Sequence, residues 1–311
     1  YAEAHGPLRP IVQSMLDAAL SIAAVGPHTE TSSGVWHRLV YVVLLYGGAW
    51  ARLLGRLAAR LHGQLGVVHP LFVVAIGREA ADACAELSRQ KRPGQLESQQ
   101  VICWTPGTQS QVHRFTSING LLHLGIDVIY VDMDTFIFRD PTPAILAQAQ
   151  GKDALFASHA DADCVNIGVF FLRSGRRAAV WLSQFLAWYH DHPFEIDQRG
   201  LHVFLGLPAG QVKVAWPPED LVEVQAGVLD DLNEVVIGDV GWYGDLGRLL
   251  IFHWCHRPLV QKEEEINEAY DAADALEAHG IPVSLAVSIA AGAIPGSAWV
   301  EVLQLRAILE G

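Results

Sequence analysis

Along the first half of the chain the spacing of apolar and polar positions switches repeatedly between two periods. Val35 to Leu45 is a β-branched and aromatic run, Gly47 and Gly48 interrupt it, and Trp50 to Leu65 carries apolar residues at helical spacing with Arg52, Arg56 and Arg60 along one face. The pattern predicts a strand, a glycine turn and a helix. It recurs, with Pro70 to Ile76 as a short buried strand, Glu79 to Gln90 as a helix, and Gln100 to Trp104 as a strand before the Pro106-Gly107 turn. A helix from Gln111 to Leu124 and a strand from Asp127 to Val131 follow. Parallel neighbours need a crossover, normally a helix, so the alternation predicts an α/β fold with a mostly parallel central sheet flanked by helices. Ligands gather beyond the carboxyl ends of such strands, which directs attention to the residues after Leu45, Trp104 and Val131.

Beyond Pro141 the alternation breaks down. Asp153 to Ala157, Val165 to Leu172, Val212 to Trp216 and Leu249 to Trp254 read as strands, Arg176 to His190 as a Trp- and Leu-rich helix, and Glu263 to His279 as an Ala- and Glu-rich helix. No linker rich in Gly, Ser or Pro and no internal repeat separates the halves, so one continuous domain is expected. Gly280 to Val300 is uncharged and long enough to span a bilayer, but Pro282, Gly292, Pro295 and Gly296 interrupt it, and it reads as a buried or interfacial segment.

Charge changes the functional picture. A net charge of -13 repels polyanions, so a general nucleic-acid or anionic-membrane surface is excluded, and any phosphate must be met by a cation or by one or two placed basic groups. Cys84, Cys103, Cys164 and Cys255 are scattered without a Cys-x-x-Cys pair, which indicates neither a zinc knuckle nor a disulfide framework and leaves the redox compartment open. The chain starts at Tyr1 rather than Met, which leaves room for an upstream signal or membrane anchor.

The strongest chemical signal is the run from Val128 to Val131, apolar until it meets Asp132 and Asp134. Two hard oxygen donors one residue apart at a strand end suit Mg²⁺ or Mn²⁺, which keep positions open for phosphate oxygens. Acidic residues also end strands for turn chemistry alone. Thr135 to Pro141 resumes the apolar texture, so these carboxylates sit between two buried segments and not on a solvated tail.

Gly125 to Pro141, Cys164 to Ser174 with its Asn166-Ile167-Gly168 turn, Asp197-Gln198 and Ile251-Phe252-His253 together resemble the nucleotide-diphospho-sugar transferase family that includes plant arabinosyl- and xylosyltransferases. The resemblance runs from about Val40 to Lys262 and extends, more distantly, to glycogenin-like and bacterial galactosyltransferases. It implies a GT-A type, Rossmann-like single domain over 35–262, with a nucleotide-binding half at 35–141 and an acceptor half at 142–262, between a 1–34 extension and a 263–311 helical segment. It further implies a nucleoside-diphosphate sugar donor, commonly UDP-linked, a divalent cation, usually Mn²⁺, a glycan or glycoprotein acceptor, retention of configuration, and a Golgi or secretory-pathway setting.

By the same resemblance Asp132, Asp134 and His253 hold the metal, with His256 as a substitute for the imidazole. Tyr46, Gly47, Arg114, Asp132 and Lys262 face the donor, and Asp197, Gln198 and Asn166 lie at the transferred sugar. Alternatives stand beside these roles: a helix cap for Asp197, a solvated side chain for Lys262, and a solvated loop for the second carboxylate pair, Asp161 and Asp163. Tyr-Gly-Gly stands where many relatives carry Asn or Thr, which leaves base preference open. Competing functions are a metal-dependent phosphohydrolase or nucleotidyltransferase, which also use paired aspartates, and a non-catalytic nucleotide-sugar-binding protein.

Overall fold

The computed structural model describes residues 17, 28–30, 36–48, 50–90, 100–158, 165–192, 197–207, 217–229, 236–239, 249–254 and 258–278. The expected strand at Val212 to Trp216, the Gly280 to Val300 segment, Asp161, Asp163 and His256 lie outside these residues. In chain order the elements are β1 (His28–Glu30), β2 (Trp36–Tyr46), α1 (Ala51–Ala58), β3 (Leu71–Ile76), α2 (Arg78–Arg89), β4 (Val101–Trp104), α3 (His113–His123), β5 (Ile126–Val131), β6 (Thr135–Ile137), α4 (Thr142–Gln148), β7 (Ala154–Ser158), β8 (Val165–Leu172), α5 (Arg176–Asp191), α6 (Asp197–Phe204), β9 (Ala226–Leu229), β10 (Val236–Asp239), β11 (Leu249–His253) and α7 (Leu259–Ala278). The contacts divide the chain into two compact units, 1–133 with 149–228, and 134–148 with 229–311.

The first unit is built on a sheet of order β4-β3-β2-β5-β8-β7-β9, with β1 paired to β2. The alternating strand and helix blocks yield the parallel set β4, β3, β2 and β5, whereas β8 runs antiparallel to both β5 and β7. Every residue of β3, β5 and β8 is buried, as strands covered on both faces require, and their unbroken apolar runs follow from that. Aromatic side chains fill one layer: Phe170 stacks on Tyr130 at 4.8 Å, and Phe185 meets Phe115 edge-on at 5.1 Å.

Two expectations are corrected here. The helix expected through Leu65 is regular only to Ala58; Ala59–Gln64 continue in a wider turn whose Leu65 N–H reaches back five residues to the Arg60 carbonyl at 2.9 Å. Arg60, which its spacing places along one face with Arg52 and Arg56, is buried there and donates to Gln64 at 3.0 Å. Cys84 on α2 and Cys103 on β4 form a disulfide, their Cα atoms 5.9 Å apart. A crossover helix packs on the strand that follows it, so two cysteines 19 residues apart can meet without any short motif.

The second unit carries a small sheet of order β10-β11-β6, with β10 parallel and β6 antiparallel to β11. Phe138 N–H extends the β6 pairing to Leu250 O at 2.8 Å, and the Arg139 guanidinium donates to Leu249 O at 3.1 Å. Helix α7 covers this unit with Ile266, Ala269, Tyr270, Ala273 and Leu276, a stripe at helical spacing, and Tyr270 meets Phe136 edge-on at 5.1 Å. No helix among the described residues is long and apolar enough to cross a membrane.

Candidate active site

Because β2, β3, β4 and β5 are parallel, their carboxyl ends share one edge of the sheet, and Tyr46, Trp104 and Asp132 fall there. Tyr46 is exposed, and Gly47 takes the left-handed conformation (φ +73°) that turns the chain away after β2. Asp132 follows directly on β5, and its N–H donates to Gly168 O at 2.7 Å. Gly168 N–H in turn donates to the buried Asn166 Oδ1 at 2.7 Å, so the Asn-x-Gly segment of β8 is fastened to the backbone of the strand-end acid.

Beneath Asp132 lies a buried polar chain. The Tyr130 hydroxyl donates to Asp132 Oδ1, and one Arg114 nitrogen lies 3.4 Å from that hydroxyl and 3.6 Å from Asp132 Oδ1. The other terminal nitrogen of Arg114 pairs with Asp197 Oδ2. Helix α3 places Arg114 in its first turn, where the guanidinium lies 4.8 Å over the Phe115 ring. Burial disfavours its charge, but Tyr130, Asp197 and Asp132 more than offset that and raise its pKa further. Burial and the neighbouring Asp132 carboxylate hold the Tyr130 hydroxyl protonated, well above the ordinary tyrosine value. Asp197 opens α6 as its first residue, its Oδ1 accepting the Gln198 N–H at 2.8 Å while its Oδ2 carries the Arg114 pair. Gly200 lets α6 seat tightly, since a Cβ there would fall 2.5 Å from the Trp188 ring.

The second unit holds the other half of the expected donor set. Asp134 is 8 % exposed and His253, the last residue of β11, 5 %. His253 Nε2 lies 3.1 Å from Asp134 Oδ1, and the β11–β6 pairing explains it, because His253 sits opposite Thr135 and Trp254 N–H bonds Asp134 O at 2.9 Å. Lys262, on the first turns of α7, pairs with Asp134 Oδ2, and its side chain is only 17 % exposed, which overturns the solvated alternative. Burial raises the Asp134 pKa, but the His253 bond and the His253 and Lys262 charges outweigh it and hold the pKa at about 2.

Asp132 and Asp134 are separated by Met133 alone, and two virtual bonds of the chain keep their Cα atoms within about 7.6 Å. Arg114, Asp132 and Asp197 are thus brought together in one unit, with Asn166 and Gln198 bonded to their backbone neighbours, and Asp134, His253 and Lys262 in the other. Tyr130 escaped sequence reasoning. Its signal was present: a hydroxyl in an apolar strand, two residues before Asp132 and hence on the same face.

Residues 67–236, more than half of the chain, match the nucleotide-diphospho-sugar transferase family. The chain belongs to that family: it is a glycosyltransferase of the nucleotide-diphospho-sugar type, built on the α/β fold described above. No protein with a curated description matches. Similar solved structures include the galactosyltransferase LgtC in complex with donor and acceptor sugar analogs, 12% identical with a TM-score of 0.46, covering 75% of this chain and 95% of that one. An active-site mutant of LgtC is 11% identical, with a TM-score of 0.43 and coverage of 74% and 95%. The apo-form glycosyltransferase GlyE of Streptococcus pneumoniae TIGR4 is 11% identical, with a TM-score of 0.40 and coverage of 87% and 63%.

Proposed function

We propose that this glycosyltransferase is metal-dependent and retaining, moving a sugar from a nucleoside-diphosphate donor, UDP-linked, to a hydroxyl of a glycan or glycoprotein. The observation that carries the reading is the His253–Asp134 bond of 3.1 Å, which delivers an imidazole from 119 residues along the chain to the second acid of the strand-end pair. Asp132, Asp134 and His253 would supply two carboxylates and an imidazole, a donor set whose chemistry fits Mn²⁺ or Mg²⁺. When bound, the cation stabilises the negative charge that develops on the leaving diphosphate.

The protein's own groups fill the remaining roles. Lys262 brings an ammonium beside Asp134, on a side chain long enough to turn to a donor phosphate. Tyr46, the exposed last residue of β2, with the Gly47 turn beside it, offers a ring for the base. Arg114 fixes Asp197, and Asp197, Gln198 and Asn166 orient the sugar and support an oxocarbenium-like transition state without a covalent bond. The commitment of both Asp197 oxygens, one to Arg114 and one to the Gln198 N–H, supports entry of the acceptor on the departing face over attack by Asp197. The Cys84–Cys103 disulfide supports an oxidising setting such as the Golgi or another secretory-pathway lumen.

The test is a screen of nucleotide sugars for Mn²⁺-dependent donor hydrolysis, run on the wild type and on Asp134→Ala. The variant is expected to lose at least about 100-fold in turnover while keeping its circular dichroism, as removal of a charge-stabilising element does elsewhere. Full activity in the variant refutes the metal site.

A further inference from the structure

Tyr130 is completely buried in β5, and its ring is fully accounted for by packing, stacked on Phe170 at 4.8 Å across the β5–β8 pair. A phenylalanine would meet that requirement. The hydroxyl answers to something else, because it bonds two charged groups at once, donating to Asp132 Oδ1 and lying 3.4 Å from an Arg114 nitrogen. That nitrogen is 3.6 Å from Asp132 Oδ1, outside the roughly 2.7–2.9 Å of a direct charge-assisted hydrogen bond. The other side of the same guanidinium is bonded to Asp197. One buried cation thus faces two carboxylates, and a neutral hydroxyl beside the wider of the two pairs bonds both of its members.

We infer that Tyr130 is a positioning residue whose hydroxyl holds Arg114 to Asp197 and off Asp132, so that Asp132 serves as a ligand for a divalent cation. The inference rests on the reading above that Asp132 is such a ligand. Without the hydroxyl, the Arg114 nitrogen and Asp132 Oδ1 each lose one hydrogen-bond partner and face each other across 3.6 Å, the guanidinium buried and the carboxylate partly exposed. The buried guanidinium nitrogen does not remain unsatisfied cheaply, and closing the gap forms a direct ion pair. The positive charge then sits on the carboxylate that must attract the cation. A hydroxyl satisfies both groups while adding no charge, which neither a second acid nor a second base does.

The test uses the full chain and Mn²⁺ alone. Calorimetric titration of wild type and Tyr130→Phe is expected to show Mn²⁺ binding weakened about tenfold or more in the variant, the range seen when a group supporting a metal ligand is removed. The melting temperature without metal is expected to stay within about 2 °C of wild type or to rise, because a new ion pair replaces the lost bonds. Asp197→Asn frees Arg114 from its other anion and is expected to weaken Mn²⁺ binding as well. Added to Tyr130→Phe it should bring little further loss, since both release the same guanidinium. This second variant keeps the test open if the phenylalanine folds poorly. Wild-type binding with equal affinity in both variants overturns the role of Tyr130 and leaves the metal site standing. A wild type that binds no Mn²⁺ overturns the metal reading and this inference with it.

Discussion

At the scale of single residues, Asp134 sets burial against partners. Burial disfavours its charge, whereas the bond from His253 and the charge of Lys262 favour it, and the balance holds its pKa at about 2 against an ordinary value of 3.8. A carboxyl whose pKa is lower in the folded than in the unfolded chain contributes stability that is complete above the unfolded value and disappears as pH falls through the folded one. Asp134→Asn abolishes that contribution. The gap in urea midpoint between wild type and this variant is therefore expected to be constant from about pH 7 to pH 5 and to narrow progressively below about pH 4. A gap that holds its full width at pH 3 and below would show that the ionised carboxyl is not what His253 and Lys262 stabilise.

At the scale of elements, the Cys84–Cys103 bridge ties a crossover helix to the strand it precedes, closing a loop with a separation of 19 residues. Chain-entropy reasoning gives such a closure about 3 kcal/mol, so Cys103→Ser, or reduction of the wild type, is expected to lower the unfolding free energy by roughly that amount. Equal urea midpoints with and without reductant would contradict it. The bridge also marks where sequence reasoning stops. Strand β5 and its acids were legible because an apolar run ends abruptly on Asp132, and the parallel core because strand and helix periods alternate. The reversed direction of β8 was not legible, since an all-buried strand reads the same in either direction. Nor was the Arg60 burial, because a change from a regular helix to a wider turn rotates the face that spacing predicts. His253 reached the candidate site by resemblance alone; periodicity says nothing of which strand β11 pairs with, and that pairing is what seats the imidazole on Asp134. Cys84 has the same cause: its partner is near in space and 19 residues away in sequence.

At the scale of the whole molecule, 34 acidic against 21 basic side chains give a field that opposes a nucleoside diphosphate. The basic groups nearest the proposed donor site do not reverse it, because Arg114 is engaged by Asp197 and lies beside Asp132, while Lys262 is engaged by Asp134. Neither cluster carries net positive charge, so placed basic residues alone do not explain how an anionic donor is held. A bound divalent cation would change the sign of the local balance, which is the physical ground for the metal dependence proposed above. Two consequences are measurable by calorimetry with UDP. Affinity in Mn²⁺ is expected to exceed affinity in EDTA by about tenfold or more, the scale of a coupling of about 1.4 kcal/mol. In EDTA, raising NaCl from about 20 to 150 mM is expected to leave the weak binding unchanged or to tighten it, because salt screens a repulsion. Binding in EDTA that weakens steeply with salt would instead point to a basic surface contacting the diphosphate directly, and would remove the need for the cation.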